Sequence, residues 1–109
     1  MTNDVIGSLR HRITIERPRR ISTDGGGATI EWIGIGDVFA RIDAISGREA
    51  VVADGIAARV THKVLIRHRD DILPEMRFIC SNRRLDIRSI LDLDGRRRWL
   101  QCLCEDQLP

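Results

Sequence analysis

Residues 59–69 read RVTHKVLIRHR, and the fold turns on how that alternation is read. Val60, His62, Val64, Ile66 and His68 fall on one side, and Thr61, Lys63, Leu65, Arg67 and Arg69 on the other. A period of two marks a strand with one face on a core and one toward water; a helix would repeat its apolar residues three and four apart. Residues 59–69 are therefore expected to form a strand, and the neighbouring segments repeat the pattern. Met76–Cys80, Leu85–Leu91 and Trp99–Glu105 read as the last three strands. Ser81-Asn82 joins the first pair tightly, and 92–97 (DLDGRR) joins the second, with Asp94-Gly95 as the hairpin signal.

Toward the N-terminus, Leu9, His11, Ile13 and Ile15 alternate with Arg10, Arg12, Thr14 and Glu16. That strand is expected to end at Pro18, which has no N–H for a ladder. Thr29–Ile33 and Gly36–Ser46 read as one long, bent strand, with Gly34 and Gly36 marking a bulge or bend. Between them, 18–28 (PRRISTDGGGA) reads as a flexible Gly-rich loop. The stretch 46–58, SGREAVVADGIAA, departs from the period of two. Ser46 and Glu49 have capping-box spacing and Gly55 can stop a helix, so one short helix is expected here. About two turns do not hold alone, because nucleation is costly, and the segment needs something to pack on. The expected fold is all-β: a small antiparallel β-barrel of about six strands with one short helix and a flexible Gly-rich loop.

The 109 residues suit one domain, 1–109, with 1–8 and 106–109 as flexible ends. Eighteen basic residues against sixteen acidic ones leave +2, too balanced to argue for general nucleic-acid binding. Lys63 is the single lysine, so the positive charge is nearly all arginine, which favours planar, bidentate partners. No run reaches the roughly 18 apolar residues of a membrane span, and the opening MTNDVIGSLRHR has no apolar signal core. The chain is expected to be made in a reducing cytoplasm with Cys80, Cys102 and Cys104 as free thiols.

Motifs that could carry chemistry are weak. Asp24-Gly25-Gly26-Gly27 lacks the G-K-[ST] ending of a phosphate loop. Cys102-x-Cys104 is a poor match to structural zinc spacing, and both thiols suit a core better. His11, His62 and His68 read as packing or rim histidines, and Asp70, Asp71, Asp92 and Asp94 as turn residues. No catalytic residue, cofactor or metal site is expected. Arg96, Arg97 and Arg98, with Arg83, Arg84 and Arg17, Arg19 and Arg20, could form a basic surface, with Trp99 beside it as a stacking residue. The simpler reading is a solvated hairpin end with Trp99 in the core. An OB-like barrel binding single-stranded nucleic acid is the rival function; four aromatics in all count against it.

The pieces also resemble a family when taken in order. LRHRITIERP is followed by a Gly-rich turn and IEW. Then come VFARIDAISGREAVVADGIAARVTHKVLIRHR and MRFICSNRRLDIRSILDLDGRRRWLQCLCED. From Leu9 to Glu105 the chain resembles the head-tail joining family of tailed phages, also called head closure or stopper proteins. The resemblance implies a structural virion protein, no enzyme, assembled in the bacterial cytoplasm into a phage or phage-like particle. It implies a ring of identical copies, a hexamer, below the portal or adaptor. The ring closes the DNA channel after packaging and offers a surface to the tail terminator or tail tube. Double-stranded DNA would pass through it, with no membrane involved. Two partner contacts are expected. One is 46–58, through Ser46, Gly47, Arg48, Glu49, Val51, Val52 and Ile56. The other is the Gly-rich loop, through Arg19, Arg20, Asp24, Gly25 and Gly26.

Overall fold

The computed structural model describes residues 9–51, 55 and 57–106. Six strands follow in order: β1 (His11–Ser22), β2 (Ala28–Val51), β3 (Ala57–Arg67), β4 (Arg77–Cys80), β5 (Arg83–Asp92) and β6 (Trp99–Asp106). They close into a barrel with the neighbour order β1-β2-β3-β6-β5-β4, every pair antiparallel. Closure removes the open edges that would otherwise invite pairing between chains.

Alternation fills the interior. Ile13 and Ile15 of β1, Val64 and Ile66 of β3, Phe78 of β4, Leu85 and Ile87 of β5, and Cys102 and Cys104 of β6 are all buried in one cluster. Burying one such side chain contributes roughly 1.5–3 kcal/mol. Burial pushes the Cys102 thiol up to about 12 and Cys104 well above its ordinary value, so both remain protonated core residues. Trp99 is buried too, but not in that cluster. The register sets it opposite Arg67 on the outer side of the wall, and the Arg67 guanidinium lies 5.5 Å from its ring. Trp99 is thus buried, as expected, but beneath a cation on the outer side of the wall rather than in the interior cluster.

Three irregularities shape the wall. Ile15 pairs with Gly36 and Glu16 with Gly34, so Ile35 is an extra residue, at the bulge the glycines marked. Ile87 pairs with Cys104 and Ser89 with Leu103, which leaves Arg88 extra. Ala44 pairs with His62 and Arg48 with Val60, so residues 45–47 face Thr61 alone.

Three expectations fail, the first being the Gly-rich loop over 18–28: β1 runs to Ser22 and β2 starts at Ala28, so 23–27 alone lie outside the strands. Residues 46–51 are not helical: β2 continues to Val51, and Arg48, Glu49, Ala50 and Val51 pair with Val60, Arg59, Ala58 and Ala57. The strands on both sides already run antiparallel, so extending their ladder avoids the cost of nucleating a helix. Glu49 also stands opposite Arg59, a favourable cross-strand charge pair. Val52 and Ile56 lie outside the described residues. The third failure is Pro18, which does not end β1. It pairs in register with Trp32, and the strand runs on to Ser22. The neighbour on the other side, β4, pairs with β1 only at Thr14–Glu16, so the proline sits at an open edge where its missing N–H breaks no ladder.

Candidate assembly surfaces

Antiparallel pairing places the β1–β2 turn, the 68–76 connection and the β5–β6 hairpin at one mouth, here the upper mouth. The end of β2, the start of β3, the Ser81-Asn82 turn and the end of β6 surround the lower mouth. A two-stranded arm leaves each. In the upper arm, residues 17–22 of β1 pair with 28–33 of β2. Its outer edges are open, because β4 stops at Glu16 and β3 meets β2 only from Arg41. In the lower arm, 48–51 of β2 pair with 57–60 of β3. Among the described residues its edges are open too, since β1 reaches only to Ala40 and β6 pairs with β3 only from His62. The molecule is elongated accordingly, at 55 × 29 × 28 Å.

The residues expected at interfaces therefore divide between the two ends. Arg19, Arg20, Asp24, Gly25 and Gly26 belong to the upper arm, and Ser46, Gly47, Arg48, Glu49 and Val51 to the lower one. The structure does not bring these groups together within one chain; β2 holds them at its opposite ends. The Gly-rich segment is mostly strand, with a short turn closed by the Thr23 N–H donating to the Gly27 carbonyl at 2.9 Å. Gly25 and Gly26 take φ of +89° and +88°, a region closed to most side chains, and a Cβ there would meet nothing within 4 Å. The tip is slender and bare, with Asp24 exposed upon it.

Side chains missed in the sequence brace the upper arm. Arg77 of β4 donates from Nε to Glu16 Oε1 at 2.7 Å, and its guanidinium carbon lies 4.0 Å from the Trp32 ring centroid. A single arginine thus ties the barrel wall to the arm through an ion pair and a cation–π contact. Pro18, Arg20, Ile30, Trp32 and Glu75 line a shallow groove on that face, with Ile30 largely exposed. Only the neighbouring Pro18 and Arg20 hinted at this in the sequence. The separation of 61 positions between Glu16 and Arg77 hid the brace.

At the upper mouth the arginine run is largely neutralised. Arg97 pairs with Asp70 at 2.7 Å, Arg98 with Asp94, and Arg69 with Asp71 at 2.8 Å. Hydrogen bonds from Arg69 hold the Asp71 carboxyl below its ordinary range, and those from Arg98 do the same for Asp94. The Asp94 carboxylate also accepts from the Arg96 N–H, and Asp92 from the Arg97 N–H, both at 2.9 Å. The DLDGRRR stretch builds its own counterions into the turn, which leaves little of the bare basic surface that the nucleic-acid rival requires.

At the lower mouth a concavity of about 580 Å³ opens between His11, Ile42, His62, Cys80, Arg83 and Leu85. Arg83 Nη1 lies 3.4 Å from His62 Nε2 and can only donate, so Nδ1 carries the proton and donates to Thr61 Oγ1 at 2.9 Å. The same Thr61 oxygen accepts from the Asp106 N–H at 2.7 Å. Burial lowers the His62 pKa, the Asp106 charge opposes that, and Arg83 adds to it.

The family model for the phage head completion protein matches residues 5–107. Among solved structures, the chain is similar to protein SF1141 from Shigella flexneri 2a, with 30% identity and a TM-score of 0.71 over 94% of this chain and 96% of that one. It also shares the fold of a chain from the virion of a native gene transfer agent particle, with 22% identity and a TM-score of 0.68 over 92% and 96%. Among curated proteins, nothing matches this chain.

Proposed function

Because this chain belongs to the phage head completion protein family, and so is a structural virion component at the head–tail junction and not an enzyme, we propose that it is the piece that closes the filled head and receives the tail. Copies assemble as a ring, a hexamer, beneath the portal or adaptor. The ring shuts the DNA exit and presents its far side to the tail terminator or tail tube. The host particle is a phage, a prophage-encoded particle or a gene transfer agent. Residues 1–109 serve this as a single head-tail joining domain built on the barrel.

The observation that carries this reading is the pair of arms projecting from opposite mouths of a closed barrel. A closed wall offers no strand edge, so contacts through backbone ladders fall to the arms, whose edges are open. A joining piece needs contacts in two directions, and the arms point in two. The paired arginines of the upper mouth suit a surface that DNA passes without being held, since each neutralised arginine releases no counterion on meeting a phosphate.

The test is electron microscopy of particles made without this gene. Full heads that lose their DNA, beside free tails, are the expected outcome; complete tailed particles would overturn the reading. Deleting the upper-arm tip, residues 23–27, should leave the fold intact and reproduce the tailless heads.

A further inference from the structure

We infer that the upper-arm tip of one copy seats in the lower-mouth concavity of a second copy, with the Asp24 carboxylate received by Arg83 and the Ser81-Asn82 turn. This rests on the self-assembling reading above and gives it a specific contact. The concavity is rich in donors. Arg83, Asn82, Ser81 and His11 line it, its floor includes Ile42 and Leu85, and among the described residues no carboxylate is part of its lining. Asp106 and His62 engage Nε and Nη1 of Arg83, and a guanidinium has donors beyond those two. Such a site selects an acceptor, and an anionic one most strongly.

Asp24 supplies one. Of the carboxylates at the turns, Asp94, Asp70 and Asp71 are already bound by Arg98, Arg97 and Arg69. Asp24 has no ion pair or hydrogen bond among the described residues. It stands on a tip that also fits by shape: Gly25 and Gly26 put no side chain around the carboxylate, and a concavity of about 580 Å³ is large enough for a short turn. The tip and the concavity lie at opposite ends of the barrel, so one chain cannot satisfy its own contact. The contact is heterologous, head to tail, the class that closes into a ring when the rotation between copies allows it.

Native cysteine chemistry tests this. Cys80 lines the concavity and is partly exposed, whereas Cys102 and Cys104 are fully buried. The D24C variant of the full chain, oxidised at assembly concentration, should give disulfide-linked multimers that peptide mass mapping assigns to the D24C thiol and Cys80. A disulfide needs Cα atoms within about 7 Å, so in a molecule of this length the link has to join two copies. Adding C80S should abolish the multimers. Independently of cysteine, R83E should reduce self-association at least tenfold by native mass, and combining it with D24R should restore it. Oligomers that form with no D24C–Cys80 link, or with D24C joined mainly to D24C or to another virion protein, would overturn the contact and leave self-assembly standing. A chain that stays monomeric at every concentration and is present in single copy in particles would overturn both.

Discussion

The two arms grow from the two ends of one strand, yet they are rooted differently. The upper arm leaves the wall over a one-residue bulge at Ile35 and is then fastened by Arg77, which grips Glu16 at 2.7 Å and lies over Trp32 at 4.0 Å. The lower arm leaves over a wider irregularity, residues 45–47 against Thr61, and the fastening seen there is the Thr61 side chain held by the Asp106 N–H at 2.7 Å. The first arm has its direction set by side chains from a third strand. Among the described residues, the second has it set mainly by its own ladder. A surface held in its working geometry before binding loses less entropy when it docks, so the brace makes the upper arm the better preorganised contact.

The largest disturbance is one that removes the support both arms share. Phe78 is fully buried between the strands, and Phe78→Ala should cost about 3–5 kcal/mol by urea unfolding, enough to lower the stability of the whole barrel. If the loss is much smaller, the arms do not depend on that core. Arg77→Ala should cost about 1–2 kcal/mol, because Glu16 loses its partner and Trp32 its cation. Its sharper signature is local: amide exchange across 17–22 and 28–33 should speed up tenfold or more, with the lower arm unchanged. Equal acceleration in both arms would erase the distinction between them.

The lower mouth should answer to pH. The His62 pKa in the fold lies below its ordinary 6.5, so in the window beneath 6.5 the unfolded chain binds more protons than the folded one. The His62 contribution is therefore complete above pH 6.5 and fades as the pH falls toward the folded value. Urea midpoints at pH 5.5 and 7.5 should differ in that direction, and His62→Gln should flatten the difference. Smallest of all, Glu49→Arg sets like charges opposite each other at Arg59 and should cost about 0.2–1 kcal/mol, read as faster exchange confined to the lower arm.

Much of the barrel is legible in the residues themselves. Val60, His62, Val64 and Ile66 are buried as their spacing demands, and Gly34 and Gly36 flank a bulge as their composition suggests. The DLDGRRR turn carries acids and arginines close enough in sequence to pair locally, as Arg98 does with Asp94. Other features are illegible because their partners are remote. The burial of Trp99 is legible from its apolarity, but its cover, Arg67 across the ladder, is not. Nothing near Trp32 announces Arg77.

The sequence alone determined which side of each strand faces inward, because alternation along a pleated chain is a local property that side-chain polarity reports directly. It also determined where the sharp turns fall, since Gly, Asn and Asp there meet a local backbone demand. The tertiary structure alone decided that 48–51 and 57–58 extend a ladder instead of forming a helix, that Pro18 lies within a strand, and that the two candidate contact groups stand at opposite mouths. Each of these depends on what lies across a ladder or at its open edge. A capping-box spacing or a proline states a preference of a fraction to a few kcal/mol, and the neighbouring strand, set by the whole barrel, decides whether that preference is expressed.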